Sequence, residues 1–161
     1  MQTAFLLLGS NLGDRAGNLA DARSELTRKI GRIDCLSSVY ETEPWGMKSA
    51  RYFYNQCATL STSMDPFVLM KQIRSIEKDM GKTQSSSGYA DRTIDIDILF
   101  FGDMIINERD LIIPHPKIRE RRFAMIPILE IYPDFVYPPT GKKLREILDS
   151  CGDTLSVIKM P

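Results

Sequence analysis

Apolar residues recur along this chain with two periods, and the switches between them mark its elements. Ala4 to Leu8 form an unbroken apolar run ending at Gly9-Ser10-Asn11-Leu12-Gly13-Asp14, the pattern of a buried strand entering a loop. Leu19, Ala22, Leu26 and Ile30 then share one helical face, with Gly31 as the stop. Residues 33–42 and 52–64 carry β-branched and aromatic side chains in partial alternation. This predicts two strands on either side of the loop that begins Glu43-Pro44-Trp45-Gly46. Asp65-Pro66 supplies a cap and a first-turn proline for a second helix, with Leu69, Ile73, Ile76 and Met80 inside and Gly81 behind it.

Past a polar stretch from Lys82 to Gly88, read as a loop, residues Thr93 to Phe101 begin with strict alternation. Gly102-Asp103 reads as a two-residue hairpin turn that continues the sheet through Met104-Ile105-Ile106. Leu111 to Ile113 is extended into Pro114-His115-Pro116, because a residue before proline is pushed away from helix. Lys117 to Phe123 can start a short helix that Pro127 keeps from growing long. Leu144, Ile147 and Leu148 mark a last helix within residues 141–150. Hairpins mixed with interspersed helices argue for an α+β chain with helices packed on an antiparallel or mixed sheet.

At 161 residues, with 43% hydrophobic and 26% charged, the chain fits one globular domain rather than a disordered or fibrous class. Lys+Arg and Asp+Glu each number 21, so no bulk positive field exists to hold nucleic acid. Three widely spaced cysteines form neither a disulfide framework nor a Cys-x-x-Cys knuckle, and His115 is the single histidine. Any metal would therefore be a hard ion held by oxygen. The run Ala4 to Leu8 lacks the basic flank of a leader and is too short to span a bilayer, so the expected compartment is the cytoplasm, with no membrane partner.

Asp95-Ile96-Asp97 carries the most chemistry. Residues two apart in a strand point the same way, about 6.5 Å apart along the chain, so both carboxylates share one face. Ile94, Ile96, Ile98 and Phe100 take the other face, and Leu99 and Phe101 accompany the acids. A Mg²⁺ ion, which favours one or two carboxylates with phosphate oxygens and water, would relieve the repulsion between them. From spacing alone, two acids on a solvated strand face stand beside that reading. Arg92 precedes the strand, and Lys117, Arg119, Arg121 and Arg122 follow the Pro-His-Pro turn. Positive clamps near an acid pair suit phosphoryl transfer, though a charged helix end looks the same in sequence.

Phe53 and Asn55 share a strand face, an arrangement that suits a flat heterocycle stacked and read along its edge but also ordinary core packing. Trp45 in a Pro-Trp-Gly loop is suited to covering a ligand. Gly9 to Gly13 lacks the endings of the phosphate-binding glycine motifs and reads as a tight strand-to-helix turn.

Taken in order, Gly9 to Asp14, Tyr40 to Gly46, Phe53-Tyr54-Asn55, Arg92 to Leu99 and Pro114-His115-Pro116 followed by Arg121-Arg122-Phe123 resemble the 6-hydroxymethyl-7,8-dihydropterin pyrophosphokinases over nearly the whole chain. The resemblance implies a ferredoxin-like α+β fold, predominantly antiparallel, in a single domain spanning residues 1–161. It implies transfer of pyrophosphate from ATP to the pterin hydroxymethyl group with release of AMP, a step of folate biosynthesis. Asp95 and Asp97 would hold two Mg²⁺ ions. Thr42, Pro44, Trp45, Phe53, Asn55 and Phe123 would form the pterin pocket, and Glu77, Arg92, Ile98, His115 and Arg121 the ATP site. Arg92 would be catalytic, with Lys82 as a second catalytic cation where relatives often have arginine, and Lys82 to Asp91 would be a mobile lid. The expected partners are the two small substrates, acting on a monomer. A metal-dependent nucleotidyltransferase, which would release pyrophosphate instead, and a ferredoxin-like RNA-binding module remain the other classes.

Overall fold

The computed structural model of the chain describes residues 1–81 and 91–161. Strand β1 (Gln2–Ser10) enters α1 (Arg15–Lys29), followed by β2 (Ile33–Leu36), β3 (Tyr40–Thr42) and β4 (Phe53–Thr62). Helix α2 (Pro66–Asp79) leads to β5 (Asp95–Phe101), and a small hairpin, β6 (Ile106–Glu108) and β7 (Leu111–Ile113), comes next. A single 3-10 turn (Ile118–Glu120), α3 (Arg122–Ile131), α4 (Leu144–Asp149) and β8 (Val157–Lys159) complete the order.

The main sheet runs β5-β1-β4-β3-β8, with β2 also on β4, and every pairing is antiparallel. If β2 and β3 count as one interrupted strand, β1 to β5 trace the βαββαβ order of the ferredoxin-like fold expected from the sequence.

Helices α1 and α2 cover one side of this sheet, where Ala4, Leu6 and Leu8 of β1 meet Leu19, Leu26 and Ile73. Helices α3 and α4 cover the other, where Phe5 and Leu7 meet Met125, Ile128 and Leu144. Because both faces of β1 are buried, its sequence is apolar without alternation. The helix starts are fixed locally: the Asp14 carboxylate accepts from Gly17 N–H at 3.0 Å and that of Asp65 from Phe67 N–H at 2.9 Å. Gly81 ends α2 with φ of +87°, a conformation natural to glycine.

The structure corrects four local expectations and adds one strand. The strand over 33–42 is broken at Ser37 and Ser38. Ser37 Oγ accepts Cys57 N–H at 2.9 Å, while Ser38 N–H donates to the Glu130 carboxylate at 3.0 Å instead of to a ladder. The Gly102-Asp103 turn does not extend the sheet: β6 pairs with β7 across Arg109-Asp110, as a separate two-stranded unit. Pro127 lies inside α3, which continues four residues beyond it. Ile128 and Leu129 are buried there, and their packing outweighs the one backbone bond that proline removes.

The fourth correction is a bulge. Leu6 pairs with Ile98 and Phe5 with Phe100, leaving Leu99 as an extra residue. Phe100 therefore joins the α3 side and Phe101 the α1/α2 side, the reverse of simple alternation. The added strand is β8, three residues without a readable pattern, held by pairing with β3. Among the described residues no helix is long and apolar enough to cross a membrane.

Candidate active site

Strand register assembles the site. Gly9 lies opposite Asn55 on one flank and Asp95 on the other, so Asp95, Gly9 and Asn55 form one row across three strands. At strand spacing, about 10 Å of sheet separates the acid from the amide. Leu7 pairs with Asp97 in the next row, and Thr42 with Phe53 at the rim. The floor is thus polar at both ends, with a glycine between them. A Cβ on Gly9 would sit 2.7 Å from Asn55 Oδ1, so the amide needs a residue without a side chain beneath it. Gly9 itself is a strand residue, and the turn expected of the motif falls on Gly13, with φ of +68°. A glycine inside a strand run is the signal that betrays such a close approach.

Above this floor lies a cavity of about 450 Å³, whose lining includes Thr42, Trp45, Phe53, Asn55 and Phe123 at one end. Arg92, Asp95, Asp97, His115 and Arg121 line the other. Lys117, one of the basic residues expected near the acid pair, completes the wall with Leu7, Gly9, Glu43, Met47 and Pro116, none of which the sequence pattern assigns to a site. Asn55 is 5% exposed, and its Nδ2 donates to Thr42 Oγ1 at 2.8 Å. That bond orients the amide and leaves Oδ1 as an acceptor above Gly9.

The charged end is tightly interlocked. Arg92 Nη1 lies 3.0 Å from Asp95 Oδ2, and its guanidinium sits 5.6 Å from the centre of the Phe53 ring. Its backbone is pinned by Asn11: Arg92 N–H donates to Asn11 Oδ1 at 2.7 Å, and Asn11 N–H to the Arg92 carbonyl at 3.1 Å. Asn11 Nδ2 donates to Asp91 Oδ1 at 2.8 Å, an oxygen that also accepts from Ser49 Oγ at 2.7 Å. The end of β1, the loop after β3 and the approach to β5 therefore meet at one buried asparagine. The sequence pattern gave no sign of this role.

Arg121 comes from the gap between the 3-10 turn and α3, where an extended residue (φ −124°, ψ 97°) turns its side chain into the cleft. Its Nη1 stands 3.7 Å from Asp97 Oδ2, and His115 Nε2 stands 3.8 Å from the same oxygen. Burial, and then the charge of Arg121, press the His115 pKa down to about 4, so the ring is neutral at pH 7. Lys117 N–H donates to Nδ1 at 3.1 Å, which places the ring proton on Nε2, facing Asp97.

Three expected residues lie outside this cavity. Ile98 is 3% exposed within the α1/α2 core. Glu77 is 7% exposed on α2, and its Oε1 accepts Ile96 N–H at 2.7 Å, bracing β5 between the two aspartates from behind. Pro44 lines a neighbouring hollow with Glu43 and Met47. Lys82 and the expected lid, apart from Asp91, lie outside the described residues.

Comparison with known proteins gives a consistent result. A profile of the family described as 7,8-dihydro-6-hydroxymethylpterin-pyrophosphokinase matches residues 5–133. A 2-amino-4-hydroxy-6-hydroxymethyldihydropteridine pyrophosphokinase of Porphyromonas gingivalis is 39% identical over 136 residues, covering 83% of this chain and 92% of that protein. Its namesake in Aquifex aeolicus is 36% identical over 146 residues, covering 91% and 90%. A folic acid synthesis protein of Pneumocystis carinii is 36% identical over 152 residues, but this chain spans only 20% of its length. Among solved structures, wild-type Plasmodium falciparum HPPK-DHPS with pteroate superposes with a TM-score of 0.72 at 18% identity. That match covers 92% of this chain and 44% of the Plasmodium chain, and it bears on the fold alone. Matched over most of its length by the family profile and by bacterial relatives of similar size, the chain belongs to the 7,8-dihydro-6-hydroxymethylpterin-pyrophosphokinase family.

Proposed function

We propose that this chain transfers the pyrophosphoryl group of ATP to the hydroxymethyl oxygen of 6-hydroxymethyl-7,8-dihydropterin, releasing AMP, as a step of folate biosynthesis. One observation carries the reading: a single cavity has an aromatic and amide end and an acid and arginine end, joined by a side-chain-free strip at Gly9. The aromatic end suits a flat heterocycle. Phe53 and Phe123 offer faces for stacking, and Asn55 Oδ1 accepts from ring N–H groups while Thr42 holds the amide in place.

At the other end, two adjacent carboxylates on one strand face suit Mg²⁺, which takes one or two carboxylates and fills the rest of its shell with phosphate oxygens and water. Asp95 and Asp97 would hold it, two ions in the fullest form of the reading, and when bound it neutralises the triphosphate and activates the hydroxymethyl oxygen. The chain's own groups do the rest. Arg121 and the His115 Nε2–H point donors toward the phosphate chain beside Asp97. Arg92, anchored by Asn11, stands beside Asp95, where charge develops as the bond between the β-phosphorus and the α–β bridging oxygen breaks. The hydroxymethyl oxygen forms the new bond to that phosphorus and gives up its proton, and AMP leaves with the electron pair.

Lys82 as a second catalytic cation, Glu77 and Ile98 as ATP contacts and Pro44 as a pterin contact belong to the same reading. A monomer acting as a single domain over residues 1–161 belongs to the same reading. ATP as co-substrate supports work in the cytoplasm. The test is incubation with ATP, Mg²⁺ and the hydroxymethyl-dihydropterin, followed by identification of the nucleotide product. AMP appearing in step with pterin diphosphate is expected. Release of inorganic pyrophosphate would instead mean attack at the α-phosphorus, the course of a nucleotidyltransferase.

A further inference from the structure

Trp45 stands in the loop between β3 and β4, and its indole does more than close the pterin end. The Arg121 guanidinium lies 4.6 Å over the Trp45 ring and 5.6 Å from the centre of the Phe123 ring. The same guanidinium reaches to 3.7 Å from Asp97 Oδ2, and its side chain is only 8% exposed. Indole is the strongest of the aromatic cation partners, and the attraction grows as the pair is removed from water. A guanidinium held over a ring is restrained by that face, so the contact limits where its five donors can stand.

We propose that Trp45 is a positioning residue for Arg121, and that this stack links occupation of the pterin end to orientation of the phosphate-facing arginine. The inference rests on the pyrophosphokinase reading and deepens it. Trp45 belongs to the loop that begins at Glu43, directly after Thr42, which orients Asn55. Phe123, the second ring near Arg121, is two residues along the same chain segment. A ring bound between Phe53 and Phe123 therefore touches groups that hold Arg121, and whatever fixes Trp45 fixes the direction of the Arg121 donors. Each ligand then favours the arrangement the other needs, which is a coupling between two sites and must be reciprocal.

The experiment compares wild type with Trp45→Leu, Trp45→Phe, Arg121→Ala and the Trp45→Leu/Arg121→Ala pair. The probes are Mg²⁺ with an ATP analogue carrying a methylene at the α–β bridge, and oxidised 6-hydroxymethylpterin. Calorimetry gives the affinity of each probe with and without the other. Wild type should show mutual tightening of roughly tenfold, within the usual range for coupled sites. Trp45→Leu should bring that factor to within about twofold of one, Trp45→Phe should keep most of it, and the double variant should lose no more than either single change.

A Trp45→Leu protein that binds pterin less well, yet keeps the full coupling factor and nucleotide affinity, would overturn the inference and leave Trp45 as a cover alone. Equal loss in the Phe and Leu variants would overturn it too, because a smaller aromatic ring keeps the cation–π contact. A wild-type protein that makes no AMP from the two substrates sinks the pyrophosphokinase reading and this inference together, and that result is known before any variant is made.

Discussion

Beneath α3 the same sheet face is finished in two ways. At one end Phe5, Phe100 and Phe135 form a closed cluster, with ring centres 4.9 Å apart for Phe5 and Phe135 and 4.6 Å for Phe100 and Phe135. At the other end, four residues along β1 from Phe5 and three to five back along β5 from Phe100, the face carries Gly9, Asp95 and Asp97 and opens to a cavity. Both ends use β1 and β5, so the difference lies in side chains and in the bulge at Leu99. Without the extra residue, alternation would place Phe100 on the α1/α2 side, away from Phe5 and Phe135, and turn Phe101 to the α3 side in its place. The bulge lets one strand present two acids and then two apolar residues to the same face. A rigid aromatic end of this kind holds the strands in register for an end whose polar groups must keep their places without close packing.

The largest effect should come from the open end. Asp95→Asn and Asp97→Asn each remove a charge while keeping shape, and turnover should fall on the order of 10³-fold or more, roughly 4 kcal/mol or above. Thermal stability should stay near that of wild type. Single-turnover kinetics beside a melting curve checks both, and an Asn variant that works normally would remove the metal role from that residue.

Phe100→Ala should do the reverse. Truncating a fully buried ring in the closed cluster should cost about 3–5 kcal/mol of stability, read by denaturant unfolding. The folded fraction should keep its rate within a few fold. If activity collapses while stability holds, the two ends are not separable in the way proposed here.

Much of this was legible in the sequence because local rules and tertiary needs agree. Asp65-Pro66 and Gly81 bound α2 as written, and the alternation over Asp95, Ile96 and Asp97 gives the correct face for both acids. What escaped depended on contacts distant along the chain. The bulge at Leu99 is set by pairing with β1, β8 exists only through β3, and the break at Ser38 answers to Glu130, ninety-two residues away. In the site, Thr42, Phe53, Asn55 and Phe123 line one cavity, whereas Glu77 and Ile98 lie outside its wall. In the sequence Gly9 reads as part of a turn, because a glycine's need for space is visible only once Asn55 lies over it.

A smaller effect sharpens the division within the open end itself. Asn55→Ala removes the edge acceptor and frees Thr42 Oγ1, so pterin affinity should weaken by about 1–3 kcal/mol. Affinity for the ATP analogue, measured alone by calorimetry, should be unchanged. Equal weakening of both ligands would mean that the amide supports the whole floor rather than one substrate's edge.

The smallest effect concerns a carboxylate employed purely for structure. Glu130, near the end of α3, accepts from Tyr40 OH at 2.6 Å, from Ser38 Oγ at 2.7 Å and from Ser38 N–H at 3.0 Å, with Lys159 at 3.7 Å. Burial alone would raise its pKa, but the hydroxyls of Tyr40 and Ser38, the Ser38 amide and the Lys159 charge together hold it below the ordinary value of 4.5. A depressed folded pKa means the unfolded chain binds the proton more tightly. The stabilisation is therefore complete above 4.5 and is lost as pH falls through the folded value. Glu130→Gln keeps the shape but meets the Tyr40 and Ser38 donors with a neutral amide, one side of which is itself a donor. It should cost about 1–2 kcal/mol near pH 7. Unfolding curves for the two proteins should converge once the pH falls below the depressed folded value, because wild type then also carries a neutral side chain at this position. A gap that stays constant from pH 7 down through the acid unfolding range would show that shape rather than charge joins α3 to the broken strand.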